Sequence, residues 1–206
     1  MAQDRGQERA RQLLSEFSAP YAPATAGLIN SAAVEAARLR HNYIGTEHLL
    51  LGATATPECQ PYMEALKLDP KKIRSAVEFI IGTGDRSVTV DNIGLTPRSK
   101  KVIELGISEQ QILGDRKLEP DHVILGLVRE REGIGIGVIE SLGVSPELLR
   151  SRVLLQRQER MDEVEARVPE RSSSHPLKGL PTAIGLGLAV GLVGVTARAA
   201  YRKFRG

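Results

Sequence analysis

The stretch His41-Asn-Tyr-Ile-Gly-Thr-Glu-His-Leu-Leu-Leu-Gly52 recurs, altered but recognisable, as Asp115-Arg-Lys-Leu-Glu-Pro-Asp-His-Val-Ile-Leu-Gly126. His48 falls on His122, Leu51 on Leu125 and Gly52 on Gly126, an offset of 74, with Ile44/Leu118, Glu47/Asp121 and Leu49/Val123 as conservative pairs. The same offset aligns Ile29 with Ile103, Glu35 with Glu109 and Leu39 with Leu113. Further on the offset becomes 76, and Met63-Glu-Ala-Leu-Lys-Leu-Asp-Pro70 lies on Ile139-Glu-Ser-Leu-Gly-Val-Ser-Pro146. Order and spacing kept at low identity over such a length indicate a duplicated structural unit.

Each unit reads as helices. Residues 23–39 and 97–113 carry apolar residues at helical rather than alternating spacing, as in Val102, Ile103, Leu105, Ile107 and Ile112. Thr96-Pro97 is a helix start with a mechanism, because the hydroxyl accepts from free amides and a first-turn proline forfeits no bond. Thr46 is expected to cap a short helix running to Leu51, with Gly52 ending it. Pro70 and Pro146 open the last helix of each unit. The predicted fold is all-α: a pseudo-two-fold duplicated four-helix repeat, eight helices in all, followed by a C-terminal hydrophobic helix. Residues 1–20 form an N-terminal extension; 21–82 and 96–156 are the two repeats, joined by a turn-rich connector over 83–95.

Bulk composition agrees. Among 206 residues, 41% are hydrophobic and 26% charged, the balance of a globular chain. Aromatics make up 3% and Trp is absent, so the core must come from Leu, Ile, Val and Ala, which favours helices over a β-sandwich. One cysteine, Cys59, excludes an internal disulfide and reads as a small buried apolar residue in a reducing compartment.

Beyond the repeats, 157–178 is a charged and then flexible linker, in which 157–165 can extend the last helix and 169–178 contains Ser172-Ser-Ser-His-Pro176. Residues 179–197 carry no charge over a length close to the ~20 residues of a transmembrane helix. The basic tail 198–206 follows, with Tyr201 and Phe204 suited to an interface. Gly187 and Gly191 form a small-xxx-small pair that would let two tails pack, giving a homo-oligomer. The glycines here also leave open an interfacial or partner-buried helix. From Arg167 onward seven basic residues face one acid, Glu170, a balance of +6 that leaves −3 for the first 166 residues of a chain with a total of +3. The basic charge thus argues for a membrane surface and against nucleic acid. With no secretory signal in the charged first 15 residues, the expected location is membrane-anchored with the domain in the cytosol; a soluble cytoplasmic chain is the alternative.

At this point the residues resemble a known family. Arg38-Leu-Arg-His-Asn-Tyr-Ile-Gly-Thr-Glu-His-Leu-Leu-Leu-Gly52 is similar to the signature of the N-terminal domain of ClpC-type Clp ATPases. Thr96-Pro-Arg-Ser-Lys-Lys-Val-Ile-Glu104 resembles the start of that domain's second repeat, and Ile124-Leu-Gly-Leu-Val-Arg-Glu-Arg-Glu-Gly133 the stretch after its second motif. The resemblance spans about residues 21–156. It implies an eight-helix module that docks adaptors and recognises substrates, with some members acting as stand-alone accessory subunits of a Clp protease. No Gly-x-x-x-x-Gly-Lys-Ser/Thr loop occurs in these 206 residues. The expected partners are therefore Clp ATPase or peptidase subunits or their substrates, for a non-catalytic protein without cofactor. The alternative is a repurposed fold serving a structural or sensory role with an unrelated partner.

The resemblance also implies a phosphoarginine site. The acid of each motif, Glu47 and Asp121, would take the guanidinium, and a threonine-led helix start, Thr96, would take the phosphate. Ala22 stands where the first repeat would have its threonine, and the second motif reads Glu119-Pro-Asp-His122. Both acids equally suit a purely structural role, since a first-turn carboxylate stabilises the helix dipole. His48 and His122 are expected to make the same structural hydrogen bond in each copy rather than bind metal, and the seven-residue step from His41 to His48 is not a metal-ligand spacing. Gly133-Ile-Gly-Ile-Gly137 lacks the strand and the third glycine of a dinucleotide loop.

Overall fold

Proline sets the register of the chain: among the described residues five α-helices begin on one, at Pro23, Pro70, Pro97, Pro120 and Pro146. At three of these starts the preceding residue accepts from a free amide, Asp69 from Lys71 N–H (2.8 Å), Thr96 from Ser99 N–H (3.1 Å) and Ser145 from Leu148 N–H (3.2 Å). Thr96→Ala is expected to cost about 1 kcal/mol, seen as a lower urea midpoint with an unchanged slope.

The structure, a computed structural model, describes residues 2–167. The first repeat comprises α2 (Pro23–Arg38), β1 (Tyr43–Ile44), α3 (Thr46–Thr54), a 3-10 turn at Pro57–Cys59, α4 (Gln60–Ala65) and α5 (Pro70–Ile81). The second comprises β2 (Gly94–Leu95), α6 (Pro97–Leu113), α7 (Pro120–Glu130), α8 (Ile134–Ser141) and α9 (Pro146–Arg167). Four helices per copy match the expectation. Ahead of them, α1 (Ala2–Ser15) packs on α2 and buries Ala10, Leu13 and Leu14 in the common core. The extension is thus an integral part of the packing, tied also by Arg9 Nε–H donating to Ile93 O (2.8 Å). At the other end the charged residues after 156 extend the last helix, as their sequence allows, and α9 continues to Arg167. The C-terminal hydrophobic helix expected over 179–197, with Gly187 and Gly191, lies outside the described residues. Among those described, no helix is long and apolar enough to cross a membrane.

The repeats exchange their leading segments. Tyr43 and Ile44 pair in parallel with Gly94 and Leu95, while Tyr21 bridges Leu118. Tyr21 precedes Leu95, and Ile44 precedes Leu118, by the repeat offset. Each repeat's approach to its first helix therefore pairs with the other repeat's approach to its second. Thr96 N–H donates to Ile44 O (3.1 Å) and Ala22 N–H to Leu118 O (3.0 Å). Thr25 Oγ1 adds a bond to Leu118 O (2.5 Å). The described residues are mostly helical, as expected, but the connector does more than turn: Ile93 and Leu95 are buried core residues.

Gly52 does not end α3, as the sequence suggested, nor does Thr46 cap it. The helix runs on to Thr54, its N-cap is Gly45, and Thr46 is its first residue. Gly52 sits where α3 crosses α2: a Cβ there would lie 2.5 Å from Leu28 O and 2.9 Å from Ala32 N. Gly126 repeats this in α7, against Val102 O and the backbone of Gly106. The duplicated glycine is a close-approach device, and the bare backbone lets the first two helices of each repeat pack tightly.

A second duplicated device is ionic. Glu35 takes Arg74 in a bidentate pair (2.6 Å for each bond) and Arg38 Nε at 2.8 Å. Burial raises the Glu35 carboxyl, but the bonds from Arg74 and Arg38 outweigh it and hold the pKa below the ordinary value. Its repeat counterpart Glu109, 1% exposed, receives Arg150 (2.9 Å) and Arg129 (3.3 Å).

Candidate functional site: the two motif helix starts

In each motif the histidine at the third helical position bends back to the helix start. Gly45 N–H donates to His48 Nδ1 (3.0 Å), and Glu119 N–H donates to His122 Nδ1 (2.8 Å). This is the common structural bond anticipated for the pair. With Nδ1 accepting, the ring proton sits on Nε2, which determines what lies opposite. In the first copy that is His41 Nδ1 at 3.2 Å, and in the second Asp115 Oδ2 at 2.8 Å. His41 and Asp115 are repeat equivalents, so the seven-residue step is a hydrogen-bond spacing in both copies. Tyr43 stacks on His41 with ring centroids 5.2 Å apart. Among the described residues no group of His, Cys, Asp and Glu is placed to hold a metal ion.

Burial pushes the His41 pKa down, helped by His48. It does the same for His122, where the Arg157 charge adds to the effect and the Asp115 bond opposes it. Both rings are therefore harder to protonate folded than unfolded. Their contribution to stability is complete above the unfolded pKa near 6.5 and is lost as pH falls through the depressed folded values. Urea midpoints are expected to drop between pH 7.5 and pH 5.5, and the drop should shrink in His122→Gln.

Both motif acids are buried. Glu47, 3% exposed, folds back over the space that Gly45 leaves without a side chain, with Oε2 3.5 Å from Thr46 Oγ1. Thr46 Oγ1 in turn accepts from Gly135 N–H (3.1 Å), so the first motif is closed by the start of α8. In the second motif Glu119 replaces Gly45, and the shorter Asp121 replaces Glu47. Asp121, 1% exposed, is met by two guanidinium groups from α9, Arg157 and Arg160, and Arg157 also pairs with Asp115. A cavity of about 360 Å³ opens here. It is lined by four acids (Glu58, Asp115, Glu119 and Asp121) and by Arg157, Arg160 and Met161. Burial and the neighbouring Asp121 charge raise the Glu119 carboxyl, with Arg157 opposing.

The exchanged segments decide which residues meet. Thr96, with its helix start, is bonded to the strand that enters the first motif, whereas the second motif receives Ala22. Glu47 and Thr96 therefore share one corner of the fold, and Asp121 stands with a start that has no hydroxyl. Sequence reasoning missed Asp115, Glu58, Arg157 and Arg160. The first was visible as the repeat partner of His41, while the two arginines sit in a charged run whose positions in the first repeat, Ile81 and Gly84, carry no charge. Cys59 is buried and its thiol is pushed up to about 12 by burial, so it is not a reactive thiolate.

Residues 21–135 match the family model of the Clp repeat (R) N-terminal domain, and the chain belongs to this family. It is 39% identical over 148 residues to the chloroplastic chaperone protein ClpC1 of Arabidopsis thaliana, covering 71% of this chain and 16% of that protein. To the negative regulator of genetic competence ClpC/MecB of Bacillus subtilis it is 44% identical over 122 residues, 58% of this chain and 15% of the relative. The chain thus spans about a sixth of the length of these relatives. The crystal structure of the N-terminal domain of the caseinolytic protease associated chaperone ClpD from Arabidopsis thaliana superposes with a TM-score of 0.58 at 22% identity, covering 66% of this chain and 96% of that one. That likeness is one of fold.

Proposed function

We propose that this chain is a non-catalytic protein-binding module of the Clp system, an accessory or adaptor that holds Clp protease components or their substrates. The observation that carries the reading is the pair of acid-headed helix starts, built alike in both repeats on a domain of the Clp repeat family. The first motif keeps both parts that a phosphoarginine side chain would need, the Glu47 carboxylate and the Thr96-led helix start, joined through Ile44. The second offers acids around a cavity but only Ala22 as the helix start. In this reading residues 179–197 tether the module to a membrane with the domain in the cytosol, supported by their length, lack of charge and basic flank.

The test is in-cell cross-linking and recovery of the full chain in detergent, beside a version ending at Lys178. Clp ATPase or peptidase subunits are expected with both, enriched by at least an order of magnitude over cells that lack the chain. Recovery only from the full chain would make the tail the means of meeting the partner. Recovery of neither class of subunit nor of their substrates would overturn the proposal.

A further inference from the structure

In the second motif the chain presents its own guanidinium groups to its own acid. Arg157 Nη1 lies 3.3 Å from Asp121 Oδ2, Arg160 pairs with the same oxygen, and Arg157 Nη2 pairs with Asp115. The fit is incomplete. Asp121 Oδ1 is buried and has no hydrogen-bond partner, and Glu58 Oε2 beside the same cavity is likewise unpaired. A buried acceptor without a donor is costly, so the internal arginines leave the site short of cationic donors.

We propose that the end of α9 is a built-in competitor: Arg157 and Arg160 occupy the second motif until an arginine side chain of a bound protein displaces them. The inference rests on the reading that the motif acids hold a partner. Three further observations support it. The last buried side chain of α9 among those described is Val153, and beyond it Arg160 is 38% and Met161 61% exposed. Of the two tethers Arg160 partly faces water and is the weaker, while Arg157, 11% exposed, is the more firmly held. The repeat shows the tether to be an addition. Arg157 falls on Ile81, where α5 stops, and among the described residues Glu47 is paired with no Arg or Lys. Finally, withdrawal of Arg157 leaves the His122–Asp115 and His122–Glu119 bonds in place, so the pocket outlasts the departure of its occupant. Uncovered, its four carboxylates select a cation, and a planar guanidinium can reach Asp121 with two parallel bonds.

The experiment uses the full chain in detergent and a fluorescent peptide with one arginine in a neutral sequence; the same peptide with citrulline, isosteric and uncharged, is the control. Removing an internal occupant raises the fraction of competent sites and tightens apparent binding in proportion. Arg157→Gln/Arg160→Gln is expected to bind the arginine peptide at least tenfold more tightly than the parent, by anisotropy, with no gain for citrulline. Gln158→Pro, which breaks α9 but keeps both arginines, should act in the same direction and decides the matter if the double variant fails to fold. Adding Asp121→Asn should abolish the gain. Equal, measurable affinity in the parent and the released variants would overturn the competitor and leave the binding reading intact. No binding by any of them would overturn both for this motif.

Discussion

Gly126→Val is expected to lower the urea midpoint strongly, the largest loss of any single substitution considered. Its Cβ would press on Val102 O and lie 2.8 Å from Gly106 N, both backbone atoms of α6 that no rotamer change moves aside. Relief requires α6 and α7 to separate, and these two helices form the main contact of the second repeat. Overpacking typically costs 1–3 kcal/mol, and a rigid backbone obstacle with a β-branched side chain belongs at or above the top of that range, about 3 kcal/mol or more. Against a total stability of roughly 5–15 kcal/mol, this is a large fraction. Gly52→Val should behave alike in the first repeat. Gly27→Ala supplies the contrast, since a Cβ there meets nothing within 4 Å. In the interior of α2 it should stabilise by up to about 1 kcal/mol through helix propensity. Urea denaturation of the three variants reads opposite signs from the same residue type, and a Gly126→Val midpoint near the parent's would remove the close-approach explanation.

Glu109→Ala is expected to cost about 3 kcal/mol. Taking one partner from a buried ion pair costs 3–5 kcal/mol when the remaining charge is trapped. Here Arg129 and Arg150 are about a third exposed and can turn toward water, which places the loss at the low end. Arg150 Nη1 is already buried without a partner, so the side chain has little left to hold it once Glu109 is gone. Glu109→Met/Arg150→Met should recover most of the loss, because apolar residues of similar volume replace a buried pair at little cost. A double-mutant cycle measures the coupling. Glu35→Ala, whose arginines stand about 40% exposed, should cost only about 1 kcal/mol. Similar losses at both sites would mean that burial does not set the difference.

The repeat offset carried much of the fold: it placed eight helices, aligned Glu35 with Glu109 and marked Gly52 with Gly126. It did not say what the glycine was for. A glycine after an apolar run suggests a helix end as readily as a helix crossing, and only the nearness of Leu28 and Ala32 decides between them. The exchange of segments was not legible, because two-residue strands have no periodicity to detect and their partners lie in the other repeat. For the site, the motif acids were legible and their surroundings were not. His41 and Asp115 share a position but not a chemistry, so the matching bonds they make to His48 and His122 leave no identity in the alignment. Arg157 and Arg160 lie in a solvated-looking charged stretch, and what singles them out is a buried carboxylate beneath them.

The exchanged segments also bear on the order in which the molecule is made. Thr25 waits for the carbonyl of Leu118, 93 residues further along the chain. While the ribosome is still adding the connector, the first repeat has its helices but no acceptor for its opening segment, and the β1 edge remains bare until Gly94 and Leu95 emerge. Closure is therefore a late event that rewards a long loop only at the end, and the unfinished chain carries edges that a second nascent copy could satisfy. Duplication within one polypeptide puts the two edges at high local concentration, so the exchange that would otherwise join two molecules is completed inside one.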